Sequence, residues 1–187
     1  QIHSPRPGEA VANKVHQAPI RGNATADGSE PLQYDIVIAI DLSGSTQEAS
    51  GTDVDGDGEV GFNPQNELVP DGMYPDDLLS TDPGDTILAA EVAAARALIA
   101  SLEPGRVRIG IVSFAGEVNP QTGLRLRYDQ RDAWVEVPLT SDFYYVHGAL
   151  DKILARGPNG ATNFAAAIRA SITELVGLTG AKSTVRA

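Results

Sequence analysis

The stretch Tyr34-Asp35-Ile36-Val37-Ile38-Ala39-Ile40-Asp41-Leu42-Ser43-Gly44-Ser45-Thr46 joins a hydrophobic run to a cluster of oxygen donors. Ile36 to Ile40 are all apolar and rich in β-branched side chains, which suits a strand covered on both faces, that is, a central parallel strand. Ligands of open α/β sheets collect at the carboxyl ends of strands, where Asp41 stands. Asp41, Ser43 and Ser45 present one carboxylate and two hydroxyls at alternate positions. These hard donors suit Mg²⁺, Ca²⁺ or Mn²⁺ and not zinc or copper. Gly44 has no Cβ to obstruct a tight loop. With a single acid in the set, a bound metal keeps much of its charge and still attracts an acidic group from a partner. The same residues also suit a simple N-cap and turn device.

Outward from this stretch, residues 1–33 carry scattered Pro, Gly and charge with no sustained period, and read as an extended arm or linker. Residues 46–85 are dense in Asp, Gly and Pro and read as an inserted loop. An Ala-rich segment predicts a helix over Thr86–Leu102, with Asp85 as N-cap and Pro104-Gly105 as its stop. Val107–Phe114 reads as a second strand. Trp134–Leu139 reads as a third, at an edge because Pro138 interrupts it. Helices are expected over Asp142–Ala155 and Asn163–Leu178, the latter with Phe164, Ile168, Ile172 and Leu175 at helical spacing. Phe114 and Trp134 are expected in the core. The segment from Ala115 to Arg131, with its arginines, reads as a solvated hairpin. The order strand, helix, strand, strand, helix, helix defines an α/β protein.

Gly160-Ala161-Thr162-Asn163 supplies a second element. Asp-Xaa-Ser-Xaa-Ser after a hydrophobic strand, followed in this order by Gly-Xaa-Thr-Asn, resembles the von Willebrand factor A (VWA) domain and its metal-ion-dependent adhesion site. The resemblance implies that Ser43, Ser45 and Thr162 ligate a divalent cation, Mg²⁺ or alternatively Mn²⁺ or Ca²⁺, and that Asp41 acts directly or through water. It implies a Rossmann-like, doubly wound, mostly parallel sheet with helices on both faces over residues 34–187, incomplete at the C-terminus. A further strand ending in Thr-Asp-Gly would be expected to follow. On the residues alone, Thr162 also suits the N-cap of the helix that follows.

Asp53-Val54-Asp55-Gly56-Asp57-Gly58-Glu59-Val60 is a distinct pattern. Acids at loop positions 1, 3 and 5, Gly at 6 and an aliphatic at 8 resemble an EF-hand calcium loop. Asp53, Asp55 and Asp57 would converge on Ca²⁺, the Glu59 carbonyl would add an oxygen, and Val60 would anchor the loop on the core. Position 12 is Pro64 where a bidentate Glu is expected, so Asn63, Asn66, Glu67, Asp71, Asp76 or Asp77 would have to compensate. A solvated acidic turn is the competing interpretation.

The 187-residue chain has a net charge of −11, no cysteine and 42% hydrophobic residues. Its acidity argues against nucleic acid and anionic membranes as partners. The lack of cysteine excludes disulfides, zinc–thiolate clusters and thiol catalysis. No apolar run is long enough to span a bilayer. The first residue is Gln1, which reads as a processed N-terminus and, with the acidity, as an extracellular or cell-surface (bacterial surface or periplasmic) protein. No Ser-His-Asp set, phosphate-cradling loop or nucleophile elbow is present. The distant resemblance of Ile40–Thr46 to phosphate loops of sugar kinases lacks the hairpin that follows there. The expectation is therefore a non-enzymatic adhesion module, its metal coordinating a carboxylate of a protein ligand. The alternative is a structural subunit of an extracellular filament or surface assembly, in which residues 1–33 pair with another copy or another chain completes the sheet.

Overall fold

A computed structural model describes residues 2–4, 21–22, 33–116 and 130–177. The chain divides into two units, Gln1–Leu32 and Gln33–Ala187. In the first, β1 (Ile2–Ser4) pairs antiparallel with β2 (Arg21–Gly22). The segment expected to be an extended arm thus contains a small two-stranded pairing.

The second unit is an α/β arrangement of three strands and three helices. The apolar run forms β3 (Tyr34–Asp41), followed by α1 (Ile87–Ala100), β4 (Val107–Phe114), β5 (Ala133–Thr140), α2 (Phe143–Arg156) and α3 (Phe164–Leu175). The sheet order is β3-β4-β5. β3 runs parallel to β4 and β4 antiparallel to β5, so the described sheet is mixed rather than mostly parallel. β5 lies at an edge and shifts register twice against β4, on either side of Ile111. The first shift falls opposite Pro138, which has no N–H to give to a ladder.

β3 is the other edge of the described sheet, not a central strand. Its residues Ile36, Val37 and Ile38 are half-buried and Ala39 is exposed. Alternation along the strands separates two faces. Ile36, Ile38 and Ile40 join Ile109 and Ile111 in one core with Leu88, Val92 and Ile99 of α1 and Val146, Leu150 and Ile153 of α2. Ala39 and Phe114 point the other way, toward α3, where the Phe114 and Phe164 rings lie 5.4 Å apart. Helices therefore cover both faces.

α3 corrects a second expectation. Its buried positions include Ala166, Ala167 and Glu174, while Phe164, Ile168 and Ile172 are exposed. Phe164 still packs on Phe114, while Ile168 and Ile172 lie beside the short side chain of Ala39 and stay more than half exposed. Glu174 is fully buried, and its Oε1 accepts the Leu139 N–H at 2.7 Å, pinning α3 to β5.

Three side chains start the helices. Thr86 accepts the Ala89 N–H in α1, Asp142 the Tyr145 N–H in α2 and Asn163 the Ala166 N–H in α3. The N-cap of α1 is therefore Thr86 and not Asp85, and that of α3 is Asn163 and not Thr162. Each such cap stabilises its helix by about 1 kcal/mol.

Candidate metal centre

β3 ends at Asp41, and the next residues continue its alignment: the Leu42 N–H donates to the Phe114 carbonyl at 2.7 Å. The chain then turns through a short 3-10 helix, Gly44–Gln47. Asp41 Oδ1 accepts the Ser43 N–H at 2.7 Å, which folds the turn back on the strand end. Ser43 stands at the N-cap of that turn, yet its side chain makes no capping bond. Its hydroxyl is instead 3.1 Å from the Ser45 hydroxyl. Ser43 is buried and Ser45 exposed.

The Gly160–Asn163 segment lies directly alongside. The Gly44 N–H donates to the Gly160 carbonyl and the Asn159 N–H to the Leu42 carbonyl, both at 2.7 Å. Gly160 has φ +94°, and a Cβ there would fall 2.8 Å from the Gly116 carbonyl oxygen. Only glycine takes that backbone at that distance. The neighbouring Ala161 bridges to Gly116, just beyond β4. Thr162 follows, exposed, and because Asn163 caps α3, the Thr162 hydroxyl is not committed to the cap. Asn163 also donates through Nδ2 to Asp132 Oδ2 at 2.6 Å.

The donor set fits a small hard cation. Neighbouring oxygens of a Mg²⁺ octahedron lie about 3 Å apart when metal–oxygen distances are about 2.1 Å, close to the spacing of the two serine hydroxyls. Two acids flank them. Glu91 of α1 accepts the Asp41 N–H through Oε2 at 3.0 Å. Burial pushes the Glu91 carboxyl up, the Asp41 amide pulls it back, and the Asp41 charge adds to the rise. Like charges held this close favour a cation beside them.

The acidic loop is organised differently from the expectation. Asp53, Asp55 and Asp57 do not form one set. Asp53 and Asp55 approach Asp85, while Asp55 and Asp57 approach Asp82; within each group the ligand oxygens lie within 4.8 Å. The Glu59 side chain belongs to neither group, and its N–H donates to Asp57 Oδ1 at 2.8 Å. Val60 is exposed and anchors nothing. The reason is that the loop amides take up the carboxylates: Asp53 accepts from Gly56 and Gly58, and Asp55 from Asp57. Asp55 also lies against Gly84, where a Cβ would meet its Oδ2. The Asp57 amide lowers the Asp55 pKa, but desolvation and the charges of Asp57, Asp82 and Asp85 outweigh it, and the net shift is upward. Asp85 is fully buried and accepts the Val54 and Gly61 N–H groups.

Sequence reading missed Asp82, Asp85, Glu91 and Asp132. None stands at motif spacing from its partners, and only the Asp-Pro-Gly-Asp run at 82–85 offered a local sign that this turn carries acids. A cleft of about 500 Å³ also opens beside this turn, with Leu42, Gly160, Arg131 and Trp134 among its lining residues. Trp134 was expected in the core; it is 37% exposed because β5 is an edge strand. Most of the segment from Ala115 to Arg131 lies outside the described residues.

No family model matches this chain, and no curated protein does. Among solved structures, a chain described as an uncharacterized membrane spanning protein from Vibrio fischeri is similar at 16% identity with a TM-score of 0.41, over 77% of this chain and 50% of that one. This chain thus spans half the length of that one. Among the described residues, no helix is long and apolar enough to cross a membrane.

Asp85 gives a pH test of the loop. The Val54 and Gly61 amides hold its carboxyl below the ordinary Asp value, against the opposing effect of burial. A lowered folded-state pKa adds stability above the unfolded value, about 4, and that stability is lost as pH falls through the folded value. Asp85→Asn is expected to lower the urea midpoint at neutral pH, with the gap from wild type closing as pH falls below about 4. A gap that stays constant across that range would show that the carboxylate charge is not what holds the loop.

Proposed function

We propose that this chain is a metal-dependent binding module of the VWA type, not an enzyme. The Asp41, Ser43, Ser45 and Thr162 oxygens hold Mg²⁺, or Mn²⁺ or Ca²⁺ in its place, and a carboxylate of a protein partner completes the coordination. One observation supports the proposal: the two distant segments that carry these three hydroxyls are joined by backbone hydrogen bonds at the carboxyl end of a strand, and none of the three caps the helix or turn beside it. Turn-forming and capping residues spend their side chains on amides. Here those tasks fall to Asp41 and Asn163, which leaves the hydroxyls for a ligand.

The mixed sheet with helices on both faces agrees with a doubly wound VWA-like domain. The acidic loop fits a structural role for Ca²⁺, with Asp53, Asp55 and Asp57 joined by Asp82 and Asp85. An ion there would relieve the repulsion that raises the Asp55 pKa. Export to the cell surface or periplasm suits the net charge of −11 and millimolar divalent ions.

A second reading rests on the side of β3 that has no paired strand among the described residues, and on Phe164, Ile168 and Ile172 of α3 and its C-cap Val176, exposed every four residues. These suit a subunit of a larger assembly, in which another chain extends the sheet. Its signature would be sedimentation that depends on protein concentration and not on Mg²⁺.

Metal binding has a direct thermal test. At a hundred times its dissociation constant, Mg²⁺ is expected to stabilise the wild-type protein by about 2.7 kcal/mol, read as a rise in Tm that EDTA reverses. Thr162→Val should fold normally, because the residue is exposed, and lose most of that rise. An equal rise in the variant would detach Thr162 from the cation, and no rise in the wild type with Mg²⁺, Mn²⁺ or Ca²⁺ would remove the site.

A further inference from the structure

We propose that the cleft beside the metal loop is a second, anion-binding subsite, which takes another acidic side chain from the same partner segment whose first carboxylate reaches the cation. The proposal rests on the metal-dependent reading above and adds the partner's chemistry: an acidic stretch of polypeptide carrying more than one carboxylate.

Position is the first argument. The wall of the cleft is built from residues adjoining the metal donors: Leu42 directly precedes Ser43, and Gly160 stands two residues before Thr162. The backbone bonds that join these two segments also fix the cleft against the loop. A partner segment on the cation therefore has its neighbouring residues at the mouth of the cleft.

Charge is the second. The chain carries −11 overall, yet among the described residues the exposed charged side chains lining this cleft are two guanidiniums, Arg131 and Arg156. Arg156 is paired with Glu136 at 2.6 Å. Arg131 is differently placed. Its Nε–H donates to the Ala133 carbonyl at 3.2 Å, which orients the side chain, and among the described residues its terminal nitrogens have no acceptor. A guanidinium fixed in this way is preorganised for a carboxylate. The lining also holds one acid, Asp132. It is buried, and its two oxygens accept from Gln130 and Asn163.

Shape is the third. A cleft of about 500 Å³ holds a side chain or two, and the exposed part of Trp134 offers an apolar surface for the methylenes of a glutamate. Acidic and apolar requirements thus meet in one residue type.

Trp134 is the sole tryptophan, so its fluorescence reports on the cleft without a label. The test titrates the full chain in Mg²⁺ with tetraglutamate and with N-acetyl-glutamine carboxylate, which carries a single acid. Tetraglutamate is expected to shift the Trp134 emission and to bind about tenfold more tightly than the single acid. Arg131→Ala should erase that advantage and leave the affinity for the single acid unchanged. Mg²⁺-dependent binding of both probes with equal affinity, or an advantage that survives Arg131→Ala, overturns the cleft and leaves the metal site standing. A Trp134 response that is the same in Mg²⁺ and in EDTA and is lost in Arg131→Ala overturns the metal reading and leaves the cleft standing. No Trp134 response to tetraglutamate under either condition overturns the subsite.

Discussion

Two backbone hydrogen bonds, Asn159 to Leu42 and Gly44 to Gly160, hold together segments that lie far apart in the sequence. Everything at the candidate site depends on that clamp. It sets the Thr162 segment beside the Ser43–Ser45 turn, and the Ala161–Gly116 bridge ties both to the end of β4. The clamp demands glycine at Gly160, where the backbone takes a left-handed conformation against the Gly116 carbonyl. Its partners are main-chain atoms, so it survives changes of side chain nearby and keeps the hydroxyls in place without engaging them. This is the condition for a preorganised ligand shell, in which donors are positioned before the ligand arrives.

The electrostatics follow from the same geometry. Asp41 and Glu91 meet at the strand end, where the Asp41 amide and carboxylate are each tied to a neighbour. The long loop between β3 and α1 places more acids close together, and Asp85 organises it by accepting amides from both limbs. A loop of this length carries a substantial closure cost. The buried carboxylate meets part of that cost without a hydrophobic core of its own. Arg131 supplies the opposite sign in the lining of the neighbouring cleft, so the proposed cation site and an exposed guanidinium belong to adjoining segments.

Much of this was legible in the sequence because it is local. The run Ile36–Ile40 and the Ala-rich helix announce themselves by composition, and Val107–Phe114 has the boundaries that its apolar content implies. The two segments that the structure joins by backbone hydrogen bonds were legible as well, since a serine pair after a strand and a Gly-Xaa-Thr-Asn loop each read from a few adjacent residues. Long-range placement was not. The position of β3 at an edge follows from which strands pair, and a run of five apolar residues reads alike at an edge and at a centre. Asp85 looked like a helix cap because it precedes the Ala-rich segment by one residue, but its side chain turns back to the loop and Thr86 takes the cap. The acids of the Asp53 loop divide between Asp82 and Asp85 for the same reason: contacts across the loop carry no spacing signal.

The central claim is that one cation joins Ser43, Ser45 and Thr162. Anomalous diffraction at the manganese edge from crystals of the full chain soaked in Mn²⁺ tests it most directly. The account predicts a peak in contact with the hydroxyl oxygens of all three residues at the end of β3, separate from any peak in the Asp53–Asp57 loop. Manganese bound only in the acidic loop, with the serine pair still hydrogen-bonded to each other and Thr162 turned to solvent, would contradict it.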